Sequence, residues 1–131
     1  MTDRELINLA FEAVKQSYAP YTGFTVGAAL ECDDGSVFLG CSIENAAFGE
    51  TICAERVAVY KAISEGRRGF RRIAVAGNAS SYCMPCGSCR QVLSEFSPEI
   101  EVLSAREDGR YVSYRLSDLL PKRFEGDHLS K

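Results

Sequence analysis

The chain has 131 residues, 46% of them hydrophobic and 25% charged, which supplies one core and predicts a single domain over residues 1–131. No apolar run approaches the ~18–20 residues of a membrane-spanning helix, and Met1-Thr2-Asp3-Arg4-Glu5 is charged where a secretion signal would be apolar, so a cytoplasmic location is expected. Eighteen acidic against fifteen basic residues give a formal charge of −3, which argues against a nucleic-acid partner, since such binders carry a basic excess or stripe.

Thr2-x-x-Glu5 has the form of a capping box, and Leu6, Leu9, Ala10 and Ala13 follow at helical spacing, so residues 3–18 read as an amphipathic helix stopped by Ala19-Pro20-Tyr21. Phe24 to Cys32 reads as a buried strand, Asp33-Asp34-Gly35 as a turn, and Val37-Phe38-Leu39 as the return strand of a hairpin. Ala54, Ala58 and Ala62 then share one face of a second helix, three small residues that permit close approach to whatever lies beneath. The arginines of 67–72 (Arg67, Arg68, Arg71, Arg72) fall between that helix and a strand over 72–77, and read as a solvated connection. Past Pro85, Cys89, Val92, Leu93 and Phe96 mark a third amphipathic helix beginning near Cys86. Residues 100–103 and 111–114 are strands about the turn at Asp108-Gly109, and 117–120 is a last short helix closed by Pro121. This order predicts a layered α/β domain with a sheet of about five strands and helices on its faces.

Six cysteines in such a chain point to metal binding or buried thiols rather than a disulfide framework. Three of them stand out, in Cys53-Ala54-Glu55 and in Pro85-Cys86-Gly87-Ser88-Cys89. A structural zinc site is closed by four protein ligands, whereas a catalytic one keeps three and leaves the fourth position to water. Three thiolates with a neighbouring glutamate are therefore the pattern of a metal-activated water with a general acid/base, Glu55. Helix starts favour thiolate over thiol. Because residues i and i+2 point roughly 200° apart on a helix, Cys53 and Glu55 can address one metal only if Cys53 lies at the helix entry. Arg56 and Arg90, each one residue past a motif cysteine, are natural donors to the sulfurs. Cys83 leaves a closed four-cysteine site as an alternative, and Cys32 and Cys41 read as inert thiols. Cys-Ala-Glu with Pro-Cys-x-x-Cys is the three-cysteine form of the zinc deaminase signature.

On these motifs, together with 19–29 (Ala-Pro-Tyr-Thr-Gly-Phe-Thr-Val-Gly-Ala-Ala), 40–46 (Gly-Cys-Ser-Ile-Glu-Asn-Ala), Arg90-Gln91 and Leu119-Leu120-Pro121, the chain resembles the small zinc-dependent cytidine deaminases of the homotetrameric type over nearly its whole length. The resemblance implies a three-layer α/β/α fold with a mixed sheet. It also implies one Zn²⁺ per chain on Cys53, Cys86 and Cys89, proton shuttling by Glu55, and Arg56 bonded to the thiolates. It further implies Phe24 against the base, backbone near Ala54 at the base edge, and Glu44 on the ribose hydroxyls. Phe124 is implied to stack on the base in a neighbouring subunit's site. The implied activity is hydrolytic deamination of cytidine and 2′-deoxycytidine, on a nucleoside substrate, with no nucleic-acid or membrane partner. Ser42 departs from the pattern, since the family has asparagine there to help hold the ribose, and Phe48 stands where tyrosine is common. Ser42 is the motive for one alternative, a deaminase of a modified cytosine nucleoside or nucleoside antibiotic. A zinc-stapled interaction domain is the alternative from another class, and it leaves Glu55 unexplained.

Overall fold

Thr2 opens the first helix as the sequence predicts: its hydroxyl accepts from Glu5 N–H and the Glu5 carboxylate accepts from Thr2 N–H, both at 3.1 Å. The computed structural model describes residues 1–129. This helix, α1 (Asp3–Val14), stops four residues short of the expected end. Lys15, Gln16 and Ser17 bond back to Glu12, Ala13 and Val14 in a tightened last turn, and Tyr18 N–H then turns to the Ser42 carbonyl at 3.0 Å. A tertiary partner for Tyr18 ends the helix before Pro20 could.

The strands are β1 (Val26–Cys32), β2 (Val37–Cys41), β3 (Phe70–Gly77), β4 (Glu101–Ala105) and β5 (Tyr111–Arg115), in the order β2-β1-β3-β4-β5. Only β3 and β4 run parallel; the other pairs are antiparallel. The first strand begins at Val26, so Phe24 lies outside it, in the loop that approaches the site. Helix α2 (Ala54–Ser64) follows a short 3₁₀ turn, α3 (Gly87–Phe96) follows β3, and the single-turn α4 (Leu116–Leu119) follows β5.

Alternation along the strands sorts the core into two layers. Ala29, Ala74, Ala76 and Leu103 face α1, whereas Ala28, Leu30, Ile73, Val75 and Val102 face α2 and α3. Two glycines set the close approaches. A Cβ at Gly27 would meet the Ala10 carbonyl oxygen at 2.2 Å, and one at Gly40 would meet that of Ala54 at 2.3 Å. Both helices therefore lie at backbone contact on opposite faces of the sheet, and Ala54 and Ala58 are the small residues that allow it on the α2 side. The result is the expected three-layer α/β/α arrangement with a five-stranded mixed sheet.

The arginine cluster is a solvated connection, with Arg68 and Arg71 exposed, but its side chains also find partners in the fold. Arg67 pairs with Asp34 at 3.0 Å, and Arg71 donates to the Asp33 carbonyl at 2.6 Å. Arg72 reaches Glu31 and Asp3, each at 2.8 Å, and the Met1 carbonyl at 2.6 Å. No helix among the described residues is long and apolar enough to cross a membrane.

Candidate active site

Two helix starts, α2 and α3, are brought side by side by the sheet. Cys53 is the N-cap of α2, with extended backbone at φ −76° and ψ 150°, and Cys86 is the N-cap of α3 at φ −69° and ψ 171°. Cys89 sits in the first turn of α3 and is fully buried. The condition on Cys53 and Glu55 is thus met, because the chain has not closed its first turn where Cys53 projects. Sγ of Cys53 lies 3.7 Å from Sγ of Cys86, which lies 3.4 Å from Sγ of Cys89. All three sulfurs fall within 4.8 Å of one another. Zinc–sulfur bonds of about 2.3 Å in tetrahedral array place sulfurs roughly 3.8 Å apart. The cluster therefore fits one zinc ion per chain.

Charge around the sulfurs is arranged to hold thiolate. The Cys53 thiol is pulled down to about 5, first by its hydrogen bond with Cys89 and then by Arg56. Cys89, buried and donating in that bond, is pushed up. Arg56 Nη2 donates to Cys53 Sγ at 3.4 Å. Arg90 does not share this role. Its Nε donates to the Pro85 carbonyl at 2.9 Å and its Nη1 to that of Leu119 at 3.0 Å, so it ties α3 to α4. Cys83 is 7% exposed and burial pushes its thiol up to about 12. It lines the cavity beside the cluster and is not among the three sulfurs that gather there.

Glu55 is 4% exposed, and burial, reinforced by the charge on Cys53, pushes its carboxyl up to about 7. It lines a cavity of about 280 Å³ together with Cys53, Cys86, Ala54, Phe24, Ser42 and Glu44. Among the described residues no Lys, Arg or His lines this cavity. Glu44 Oε1 accepts from Tyr21 N–H at 2.9 Å and Thr22 N–H at 3.2 Å, and its Oε2 accepts from the Thr22 hydroxyl. These donors, the Thr22 hydroxyl foremost, hold its carboxyl below the usual range. Ser42 Oγ accepts from Val26 N–H at 3.0 Å. Phe124 lies apart from this lining: the residue is 56% exposed, and its carbonyl accepts from Gln91 Nε2 at 2.9 Å.

Sequence reasoning missed Thr22 and Asn78. Asn78 Nδ2 donates to the Gly23 carbonyl at 2.8 Å and its Oδ1 accepts from Thr25 N–H at 3.1 Å, so it clamps the loop that carries Phe24. Neither residue sits in a periodic pattern or beside a motif cysteine, and only the fold brings them to the site.

A family profile described as the cytidine and deoxycytidylate deaminase zinc-binding region matches residues 1–104 of the chain. This chain belongs to that family. Its relatives among cytidine deaminases include the protein of Halalkalibacterium halodurans, 44% identical over 98% of this chain and 98% of that one. The protein of Sporosarcina psychrophila is 40% identical over 99% of this chain and 96% of that one. Among solved structures, cytidine deaminase from Burkholderia pseudomallei superposes with a TM-score of 0.92 at 44% identity, covering 95% of this chain and all of the other. Membership in this deaminase family accounts for the three sulfurs as a zinc site, and zinc is its cofactor.

Proposed function

We propose that this chain catalyses hydrolytic deamination of cytidine and 2′-deoxycytidine to the uridine forms with release of ammonia, as a cytoplasmic homotetramer. The observation that carries the reading is a buried carboxyl, Glu55, beside a three-sulfur cluster on a cavity with no cationic side chain among its described lining. A neutral nucleoside suits such a lining, and a phosphate has nothing there to neutralise it.

Bound by Cys53, Cys86 and Cys89, zinc supplies Lewis-acid activation of a water nucleophile. Glu55 does the proton work. Its carboxylate takes one proton of the water and delivers it to N3 of cytosine, which makes C4 electrophilic, and the hydroxyl oxygen left behind bonds to C4, which becomes tetrahedral. Glu55 then passes the remaining hydroxyl proton to the amino nitrogen, so that the C4–N bond breaks and ammonia leaves. A carboxyl that burial has brought to about 7 can both take and return a proton near neutrality. Arg56 offsets part of the thiolate charge, which would otherwise weaken the metal as a Lewis acid. Phe24 packs against the base. The Ala54 N–H, one of the unpaired amides at the start of α2, is available to the base edge. Glu44, held ionised, and Ser42 receive the sugar.

The tetramer is supported by exposed aromatic surface, with Phe48 76% and Phe124 56% exposed. In this reading Phe124 completes a neighbour's site. Reduced thiols at the metal cluster suit the cytoplasm. A second reading, deamination of a modified cytosine nucleoside, draws its support from the short Ser42 side chain at the sugar.

Glu55→Gln is the decisive variant. It should keep its zinc and its melting temperature while ammonia release from cytidine falls at least ~10²–10⁴-fold, the worth of general acid/base transfer. Near-normal turnover would overturn the mechanism. Wild-type protein that carries zinc but releases no ammonia from any cytosine nucleoside would favour a zinc-stapled interaction domain.

A further inference from the structure

Ser17, which does not line the cavity, holds the hydroxyl of Ser42, which does. The two side-chain oxygens are 2.6 Å apart, and Ser17 Oγ is also 3.0 Å from the Ser42 carbonyl oxygen. Each hydroxyl has one hydrogen and two lone pairs. If Ser17 donates to the carbonyl, Ser42 donates to Ser17 and both hydrogens are used inside the chain. If Ser17 donates to Ser42 Oγ instead, the Ser42 hydrogen is released but the bond to the carbonyl is lost. The first arrangement makes one more hydrogen bond, a net factor of roughly two- to tenfold. A ligand group that asks Ser42 for a hydrogen therefore gains a bond and costs one. A group that donates into the remaining lone pair of Ser42 gains a bond at no loss, because Val26 N–H occupies only the other.

Glu44 reaches the same condition by a different route. Tyr21 N–H and Thr22 N–H fill the two acceptor positions of Oε1, and the Thr22 hydroxyl takes one of the two on Oε2. One position on Oε2 is left, and an ionised carboxylate has no hydrogen to give. Thr51, in the same lining, accepts from Asn45 N–H at 3.1 Å and has a hydroxyl hydrogen of its own, so a test has to change the hydrogen of Ser42 and leave Thr51 as it is.

Resting on the nucleoside reading above, we infer that Ser42 and Glu44 form an acceptor-only pair to which the substrate must bring a sugar hydroxyl as donor, and that Ser17 is the positioning residue that keeps the Ser42 hydrogen out of the cavity. Fluorine is the discriminating substituent, since on carbon it accepts weakly and cannot donate.

The experiment measures kcat/KM for cytidine and its 2′-deoxy and 3′-deoxy forms to find the hydroxyl whose loss costs most. It then measures the fluoro compound at that carbon. In the wild type the fluoro compound should fall below the deoxy compound, because fluorine lone pairs face two acceptors. In Ser17→Ala the Ser42 hydrogen is released, and the fluoro-to-deoxy ratio should rise by about two- to tenfold. Ser17→Thr, which keeps the hydroxyl, should hold the wild-type ratio. A role of Ser17 in folding alone would move all substrates together and leave that ratio where it was. An unchanged ratio in Ser17→Ala, or a wild type indifferent to both hydroxyls, overturns the inference while leaving the nucleoside reading intact. Failure of the wild type to deaminate any of these compounds takes down both.

Discussion

At the scale of single residues, the site is built from side chains whose ionisation the fold has set. Glu55 is raised by burial, Cys53 is lowered by its partners, and Cys83, three residues before Cys86, is raised by burial to about 12. The Cys83 sulfur also stands outside the group formed by Cys53, Cys86 and Cys89. Cys83→Ser should leave zinc content, read by atomic absorption, at one ion per chain, whereas Cys53→Ser should lose it. Loss of zinc in Cys83→Ser would restore the four-cysteine site. Glu44 is a case in which chemistry and residue identity diverge. A carboxylate can accept about four hydrogen bonds, but here three come from its own chain, so it is a far narrower recognition group than its formula suggests.

At the scale of elements, the position of α2 governs everything that its first turn carries. Gly40 on β2 lets the helix lie on the sheet at backbone contact, and an added Cβ would meet the Ala54 carbonyl oxygen at 2.3 Å and Ala58 N at 2.6 Å. Neither is a flexible side-chain end, so the helix itself must move. Gly40→Ala should therefore destabilise by about 1–3 kcal/mol or more, as overpacking does. It should also lower turnover, because Ala54 stands between Cys53 and Glu55. Thermal melting and zinc content measured together check this; an unshifted melting temperature would show that the sheet can yield. The loop after α1 obeys the same logic from the other side. Tyr18 pairs with the segment that carries Ser42 and Glu44, so the early end of α1 is what places both residues at the cavity.

At the scale of the whole molecule, Arg72 joins β3 to Glu31 on β1 and to Asp3 and Met1 at the N-terminus, with Glu31 3% exposed. The Arg72 guanidinium holds the Glu31 carboxyl below the usual carboxylate range. A depressed folded-state pKa gives stability that is present above the unfolded value of about 4.3 and lost as pH falls through the folded one. Glu31→Gln should thus melt below the wild type at pH 7, by the worth of a charge-assisted bond, about 1.5–3 kcal/mol. That gap should shrink as pH falls below about 4. A gap constant down to pH 3 would show that ionisation of Glu31 is not what stabilises the contact. Assembly belongs to this scale as well. If Phe124 completes a neighbour's site, Phe124→Ala should raise KM for cytidine by the worth of base stacking, roughly 1–3 kcal/mol, and a fully active monomer at assay concentration would contradict it.

What the sequence determined by itself follows from local rules. The capping box at Thr2, the two-residue alternation of the strands and the stacked alanines of α2 each depend on neighbours a few residues away, and each was legible. The zinc cluster was legible for a related reason: Cys53 and the Cys86/Cys89 pair sit at helix starts, where short-range backbone geometry fixes the direction of a side chain. Tertiary structure alone decided the rest. Arg90 turned to carbonyls rather than sulfur, the arginines of 67–72 found acids and carbonyls, Asn78 came from 55 positions away to hold the loop that carries Phe24, and Thr22 turned to Glu44, 22 positions on. Long polar side chains can satisfy their hydrogen bonds with many partners, and which partner is within reach depends on how the helices and the sheet pack. The Ser17–Ser42 contact is of this kind: two ordinary serines 25 positions apart, whose hydroxyls meet only because the end of α1 is laid against the end of β2.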